Sequence, residues 1–465
     1  MSGLFGVIGG ADCTSKLFVG VDYHSHLGTQ YGGLAVLNGE NRITKKIHDI
    51  QQSQFKGKFY QDLQDIEGKA GIGVISDSNE QPLVFESKFG TYALCTNGLI
   101  ENKSEIASEL IENGETFSEY SKDGVNPAEL VATMISKGDD IVDGIGKMYD
   151  QIQGSITLLL LNKDGVYAAR DRKGRFPLVV GEGDGFHAVT SESCAFSNLG
   201  LKAKKHVGPD EIVLLTEKGV KTVKKEGEDN RICSFMWIYT GFPASDYEGI
   251  NAEEVRERCG KALAARDSVK ADMAAGIPDS GVAHAIGYAI GAGVPFRRPM
   301  VKYTPGYGRS YTPPSQETRD QIALMKLIPN EKIIKGKSIV ICEDSIVRGT
   351  QLKNYTLNKL YNSGAREIHI RVACPPLMFP CKYNLSTKTL EELAARKAIK
   401  SLEGDIKKNV DKYLDSDSDE YAKMVEWINN DLGSTSLMYQ RLEDMIEAIG
   451  LPREKLCLYC WNGRK

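Results

Sequence analysis

Hydrophobic and polar positions follow two rhythms along the chain, and the change between them falls near residue 230. Before it, short β-branched or apolar runs recur between glycine-rich turns: Leu4–Ile8, Gly71–Ser76, Thr91–Asn97, Ser155–Leu161, Val166–Arg170 and Glu211–Thr216. Asn38-Gly39 and Asp184-Gly185 read as turns between such runs, because these residue types tolerate a left-handed backbone. Two helical stretches interrupt, Lys103–Glu112 and Pro127–Ser136. The second has proline at its first position, where a missing N–H is harmless. Strands, then helices, then strands again predict stacked sheets covered by helices. The charged segment Lys221–Asn230 reads as a surface turn or linker.

Beyond it, helical patterns such as Ala252–Arg266 and Glu317–Leu327 alternate with continuous apolar strands, Ser338–Cys342 and Glu367–Ala373 being the clearest. That alternation predicts a parallel α/β sheet, which takes ligands beyond the carboxyl ends of its strands. Residues 401–430 form a charged, helical insertion containing Asp415-Ser416-Asp417-Ser418-Asp419, expected to be a solvated surface excursion. The expected domains are 1–230 and 231–465, the second carrying the insertion and a C-terminal cysteine pair.

Composition narrows the function classes. A chain of 465 residues can bury real cores without staples. The net charge is −4 with 26% charged residues, which disfavours a broad nucleic-acid-binding face. The longest apolar runs, such as Ile156–Leu161, fall far short of the ~20 residues of a membrane span. Met1–Gly10 reads as a strand, without the basic start and long apolar core of a signal peptide. The expectation is a soluble cytoplasmic protein with no nucleic-acid or membrane partner.

The ten cysteines are spread along the chain without a secretory signal, which argues against a disulfide framework. Most should be inert core thiols. Cys457 and Cys460 differ, because their Cys-x-x-Cys spacing lets two thiolates grip one metal or cluster. A chance pair is the alternative.

The strongest chemical signal is Ile339-Val340-Ile341-Cys342-Glu343-Asp344-Ser345-Ile346-Val347-Arg348-Gly349-Thr350-Gln351, followed by a helical stretch Leu352–Tyr361. A buried strand ends in two carboxylates. The turn after it can cradle an anion with backbone N–H groups and the helix N-terminus. Ser345 and Thr350 add hydroxyl donors, and Gly349 permits close backbone approach. Glu343 and Asp344 cannot bind phosphate, but suit sugar hydroxyls or a hard divalent cation. An N-capped helix beside a solvated acidic pair would explain the acids and leave the Ser/Arg/Gly/Thr spacing unexplained.

This segment resembles the phosphoribosylpyrophosphate (PRPP) motif of type I phosphoribosyltransferases. More narrowly, it is similar to that of the glutamine PRPP amidotransferase family, Asp-Asp-Ser-Ile-Val-Arg-Gly-Thr-Thr, with Glu343 for the first Asp and Gln351 for the last Thr. Ile277-Pro278-Asp279-Ser280-Gly281 with Gly287-Tyr288-Ala289 resembles the family's pyrophosphate loop. Gly308-Arg309-Ser310-Tyr311, Pro314-Ser315-Gln316 and Met325-Lys326-Leu327 resemble its flexible catalytic loop and the helix after it. Two further segments match, Ala168–Leu178 and Ser191–Ala195, and only 401–430 lacks a counterpart.

The resemblance implies an N-terminal-nucleophile glutaminase-like domain of stacked αββα sheets, followed by a type I phosphoribosyltransferase domain. It implies a homo-oligomer, and PRPP binding by Asp279, Ser280, Gly281, Lys326, Glu343, Asp344, Ser345, Arg348, Gly349 and Thr350, with Arg309 catalytic. Ser280, Glu343 and Asp344 would hold Mg²⁺. One subgroup carries an iron–sulfur cluster on four cysteines, and the matching positions are Cys233, Cys381, Cys457 and Cys460. The resemblance favours [4Fe–4S], while the spacing alone equally allows zinc.

The glutaminase signature is broken. The family's nucleophile is an N-terminal cysteine, and here Ser2 stands in that position, a poorer nucleophile near neutral pH. Ser76-Asp77 lies where the Arg that holds the substrate carboxylate should be, and Pro127 replaces the acid that holds its amine. The oxyanion pair survives as Asn97-Gly98, although these residues suit a hairpin turn as well. Between Lys302 and Arg309 the loop is one residue longer than the family's and lacks its Arg. The expectation is a transferase making 5-phosphoribosylamine from PRPP and ammonia, the first step of purine synthesis in the family, with an inactive glutaminase half. Ammonia would come from solution or a partner protein. The alternatives are a non-catalytic PRPP- or nucleotide-binding paralogue that regulates a partner, and a transferase using another amine.

Overall fold

The computed structural model describes residues 1–121, 124–303, 325, 327–350, 352–384, 386–387 and 389–464. It divides into two compact units: Met1–Cys233 with Ala244–Gly249 and Lys382–Leu385, and Ser234–Pro243 with Ile250–Cys381 and Ser386–Lys465. The units change over three residues beyond the position at which the sequence rhythm shifts, and two short later segments belong to the first unit. Among the described residues, no helix is long and apolar enough to cross a membrane.

The first unit is built on two antiparallel sheets. The key strands are β1 (Gly3–Gly9), β2 (Ala70–Ser76), β3 (Gly90–Ile100) and β4 (Gly154–Asn162). One sheet has seven strands, ordered Lys202–His206, Val179–Gly183, Phe186–Thr190, β1, β2, Tyr31–Leu37, Ile43–Asp49. The other has six, ordered Gly219–Lys224, Ile212–Thr216, Gly165–Ala169, β4, β3, Leu83–Ser87. Gly219–Lys224 is thus an edge strand over part of the stretch read as a linker.

Side-chain alternation sorts β1 between two cores. Leu4 and Ile8 pack with Ile72, Val74, Ala93, Cys95, Leu159 and Leu161 between the sheets, as a period of two requires. Phe5 and Val7 face the other way, onto Leu17 and Val21 of helix Thr14–Asp22. The outer face of the six-stranded sheet is covered by Lys103–Glu112, α1 (Pro127–Ile135) and Ile141–Gln151. The order is helix, sheet, sheet, helix.

The second unit centres on four parallel strands: β5 (Met273–Gly276), β6 (Ser338–Glu343), β7 (Glu367–Val372) and β8 (Ser436–Tyr439), in that order. β5, β6 and β7 are almost wholly buried, which explains their unbroken apolar runs. Helices α2 (Ala252–Arg266) and α3 (Val282–Ala292) flank the sheet. Leu327 opens the strand Leu327–Pro329, and most of the helical stretch expected over Glu317–Leu327 lies outside the described residues.

The insertion is helical and lies largely at the surface, as expected, with a few apolar anchors. It contains part of α4 (Ala394–Glu403) and α5 (Asp419–Leu432), and α5 buries Met424, Ile428 and Leu432. Asp415–Asp419 contains the cap of α5, with the Ser418 hydroxyl accepting the Tyr421 N–H at 3.1 Å and Asp419 in the first turn, where acids favour the helix dipole. The acidic run is therefore a helix start, and the apolar stripe behind it supplies the burial.

Candidate functional site

At the head of β1, Ser2 is 6% exposed. The register Gly3↔Ile75 carries it to the end of β2. Its N–H donates to Asn97 Oδ1 at 2.9 Å and its hydroxyl to Ser76 Oγ at 3.2 Å. Three strands from two sheets thus meet at this residue. Ser76 Oγ also accepts the N–H groups of Ser78 and Asn79, at 3.2 and 3.4 Å.

Asn97-Gly98 is not a hairpin turn. The pair lies inside β3, opposite Thr157 and Ile156 of β4. Gly98 has φ +135°, and a Cβ there would meet the Ser155 carbonyl oxygen at 1.9 Å. Only glycine fits that backbone and that space.

The two clamp positions carry other chemistry. Asp77 accepts the Thr29 hydroxyl at 2.8 Å and pairs with the Met1 ammonium at 3.2 Å. At the position where the family resemblance implies a cation for the substrate, this chain therefore has a carboxylate. Pro127 begins α1 behind Asn126, whose Oδ1 accepts the Ala128 N–H at 2.9 Å. The nearby acid Glu129 is buried, and its two oxygens accept the N–H groups of Ser118 and Glu119 and the Ser118 hydroxyl, at 2.8–2.9 Å. It is committed to the fold rather than to a ligand ammonium.

In the second unit, β5 and β6 lie side by side and their carboxyl ends carry the two predicted loops. After β5, Ile277–Gly281 turns back so that the Gly281 N–H donates to Ile277 O at 2.8 Å. The Ile277 N–H donates to Cys342 O on β6 at 3.0 Å. The Pro278–Asp279 peptide is cis. Ser280 Oγ reaches Glu343 Oε1 at 3.4 Å, and Asp344 Oδ2 accepts the Ser345 hydroxyl at 2.5 Å. Ser280, Glu343, Asp344 and Ser345 are thereby brought together. Burial, and next the Asp344 charge, push the Glu343 carboxyl well above the usual range. Two carboxyls and a hydroxyl are hard oxygen donors, and a divalent cation would offset that repulsion. The donor set fits Mg²⁺, although among the described residues no three His, Cys, Asp or Glu form a metal-binding group.

Other predicted residues are less central. Asp279 is 70% exposed and pairs with Lys302 at 2.7 Å, a partner that sequence reasoning had not assigned to the site. Arg348 reaches Glu392 at 2.5 Å. Gly349 has φ +76° and its carbonyl accepts the Lys353 N–H. Thr350 is exposed, and the helical stretch after it begins as a wide π turn, Leu352–Leu357. The loop is braced by Ala394 N–H on Val347 O at 2.7 Å. Arg309 and Lys326 lie outside the described residues.

The cysteines form two classes. Cys13, Cys95, Cys194, Cys259, Cys342 and Cys374 are buried. Burial pushes the thiols of Cys13, Cys194 and Cys259 up to about 12, as expected of inert core thiols. Cys233, Cys381, Cys457 and Cys460 are only partly buried. In the second unit, Cys460 O accepts the N–H groups of Met378 and Phe379 at 2.9 and 3.0 Å, tying the Cys-x-x-Cys segment to the run before Cys381.

Known proteins share this arrangement over its full length. Residues 69–198 match a family model described as a glutamine amidotransferase domain. The amidophosphoribosyltransferase of Methanocaldococcus jannaschii is 30% identical, over 100% of this chain and 97% of the relative. That of Bacillus subtilis is 29% identical, over 99% and 93%. The solved glutamine PRPP amidotransferase from B. subtilis, complexed with ADP and GMP, superposes with a TM-score of 0.85 at 28% identity, covering 99% of this chain and 96% of that one. The fold is thus an N-terminal-nucleophile glutaminase-type unit followed by a phosphoribosyltransferase unit.

Proposed function

The chain belongs to the amidophosphoribosyltransferase family, and on that premise we propose that its C-terminal unit displaces pyrophosphate from C1 of PRPP with ammonia, giving 5-phosphoribosylamine. The observation that carries this reading is the meeting of Ser280 with Glu343 at 3.4 Å. It joins a pyrophosphate-type loop to the acidic end of a ribose-phosphate loop, the pairing a doubly phosphorylated sugar needs. Backbone N–H groups of Ser345–Thr350 would hold the 5-phosphate. Asp344 would orient the ribose hydroxyls, and the 278–281 turn would hold the pyrophosphate. Mg²⁺ held by Ser280, Glu343 and Asp344 would offset charge on the leaving group.

The test is pyrophosphate release from PRPP and Mg²⁺ with ammonia, with glutamine and with no amine. Release with ammonia alone is expected. Release with no amine, or none under any condition, rejects the transferase. Asp344→Asn should weaken Mg²⁺-dependent PRPP binding by about 1–3 kcal/mol, one charge-assisted hydrogen bond. Unchanged calorimetric affinity in that variant would move the ribose site elsewhere.

For the N-terminal unit, the reading is a retained scaffold that does not hydrolyse glutamine efficiently. Its support is the local chemistry at Ser2, whose hydroxyl bonds to another hydroxyl, and at Asp77.

The four partly buried cysteines support a structural cluster through their spacing and their contrast with the six buried thiols. Anaerobically purified protein should be brown and hold about four iron atoms, and Cys457→Ser should bleach it. Stoichiometric zinc in colourless protein would replace iron in this reading, and metal-free protein would end it.

A further inference from the structure

The Ser280–Glu343 contact that carries the proposed function joins two loops on different strands, and its geometry depends on how α3 is seated. Helix α3 begins directly after the 277–281 turn, so an axial slip of α3 would move Ser280 with it. Its packing on α2 is close, and small residues form part of the contact. The helices touch through backbone: a Cβ on Gly287 would meet Glu257 O, and one on Gly260 would meet His284 O, each at 1.9 Å. At these two positions no side chain projects as a ridge to help fix the register.

Polar contacts on the buried face of α3 help to fix it. His284 places Nδ1 3.1 Å from Arg256 O and Nε2 3.2 Å from Ile238 O. One turn on, the Tyr288 hydroxyl donates to Asp267 Oδ2 at 2.6 Å. Asp267 caps the C-terminus of α2 and receives Arg371 through Nε at 2.5 Å and Nη2 at 3.0 Å. Arg371 and Asp267 side chains are 3% and 4% exposed. Arg371 stands on β7, opposite Cys342 of β6, one residue before Glu343. The contacts therefore close a ring: Ser280, α3, Tyr288, Asp267, Arg371, β7, β6, Glu343 and back to Ser280.

We propose that Tyr288, acting through the buried Asp267–Arg371 pair, is a positioning residue that sets the pyrophosphate half of the site while leaving the 5-phosphate half alone. This rests on the PRPP reading above. The Ser345–Thr350 loop is held separately, by Ala394 on Val347 and by Glu392 on Arg348. A bidentate, desolvated carboxylate–guanidinium pair is a rigid anchor, so removing the Tyr288 hydroxyl detaches the end of α3 nearest that anchor without emptying the core, while His284 still holds the turn before it.

Calorimetry with two probes separates the halves: inorganic pyrophosphate with Mg²⁺, and ribose 5-phosphate. Tyr288→Phe should weaken pyrophosphate binding about tenfold, the loss of one strong hydrogen bond. Ribose 5-phosphate should bind within about twofold of wild type, a change of less than about a third of that energy. Arg371→Lys keeps the charge but loses the fork, and should show the same selective loss. Equal weakening of both probes would mean a general structural role, and unchanged pyrophosphate binding would mean no role; either overturns the inference. Wild type that binds ribose 5-phosphate but not pyrophosphate also overturns it. Wild type that binds neither would instead bring down the PRPP reading, and this inference with it.

Discussion

Glutamine incubated with the wild-type protein should yield no glutamate above background, and Ser2→Cys should be nearly as inert. A lone Cys-to-Ser change would be a one-atom lesion that this substitution repairs. Here the surroundings argue otherwise. The glutamine carboxylate would meet Asp77, itself a carboxylate held by Thr29 and the Met1 ammonium, instead of a guanidinium. Its amine would meet Pro127, which has no charge, while Glu129 is tied to Ser118 and Glu119. Each lost charge-assisted contact removes about 1.5–3 kcal/mol. Two together lower recognition by roughly two to four orders of magnitude, before any repulsion from Asp77 is counted. Asn97 and Gly98 keep their places beside Ser2, so a residual oxyanion site does not rescue a substrate that is not held. The assay is glutamate release with each variant. Turnover of Ser2→Cys at about 1 s⁻¹, the low end of ordinary enzymes, would show that the clamps lie on other residues. Activity in the wild type would make Ser2 a working nucleophile and end the scaffold reading.

Gly281→Ala should all but abolish Mg²⁺-dependent PRPP binding. A Cβ at this position would lie 2.2 Å from the Cys342 carbonyl oxygen and 2.7 Å from the Ile277 nitrogen. Both are backbone atoms at the core of the site, so relief requires moving the pyrophosphate turn away from the end of β6. Overpacking of this kind costs about 1–3 kcal/mol of stability. Displacing Ser280 from Glu343 should lower affinity by about a hundredfold, equivalent to two lost hydrogen bonds. Gly57→Ala is the control: nothing lies within 4 Å of its added Cβ, so binding should be unchanged, and the melting temperature should not fall, since alanine suits the helix Phe55–Phe59 at least as well as glycine. A Gly281→Ala protein that is folded by circular dichroism and binds PRPP like wild type would place the pyrophosphate elsewhere.

Local information carried a large part of the architecture. Alternation in Leu4–Ile8 and the unbroken apolar runs at Ser338–Cys342 and Glu367–Ala373 are readable because a strand's period and its number of buried faces are written in adjacent residues. The carboxylate pair after a buried strand, with the Ser/Gly/Thr turn behind it, is contiguous and legible for the same reason. The helices Lys103–Glu112 and Ala252–Arg266 begin and end where the pattern puts them. The acidic run at 415–419 is at the surface as its charge implies, but charge density alone does not show that it also starts a helix. The stripe Met424, Ile428 and Leu432 acquires meaning only against a packed partner.

What the tertiary structure alone decided are the relations between distant segments. Asn-Gly suits a turn or a strand, and only pairing with Thr157 and Ile156 makes Asn97-Gly98 part of β3. The meeting of Ser2, Ser76 and Asn97 joins residues up to 95 positions apart, and the Arg371–Asp267 pair spans 104. Each such residue, taken in sequence, is an ordinary polar side chain. Burial gives it a role, because a polar group removed from water must find a partner, and which partner is in reach depends on how the sheets and helices stack.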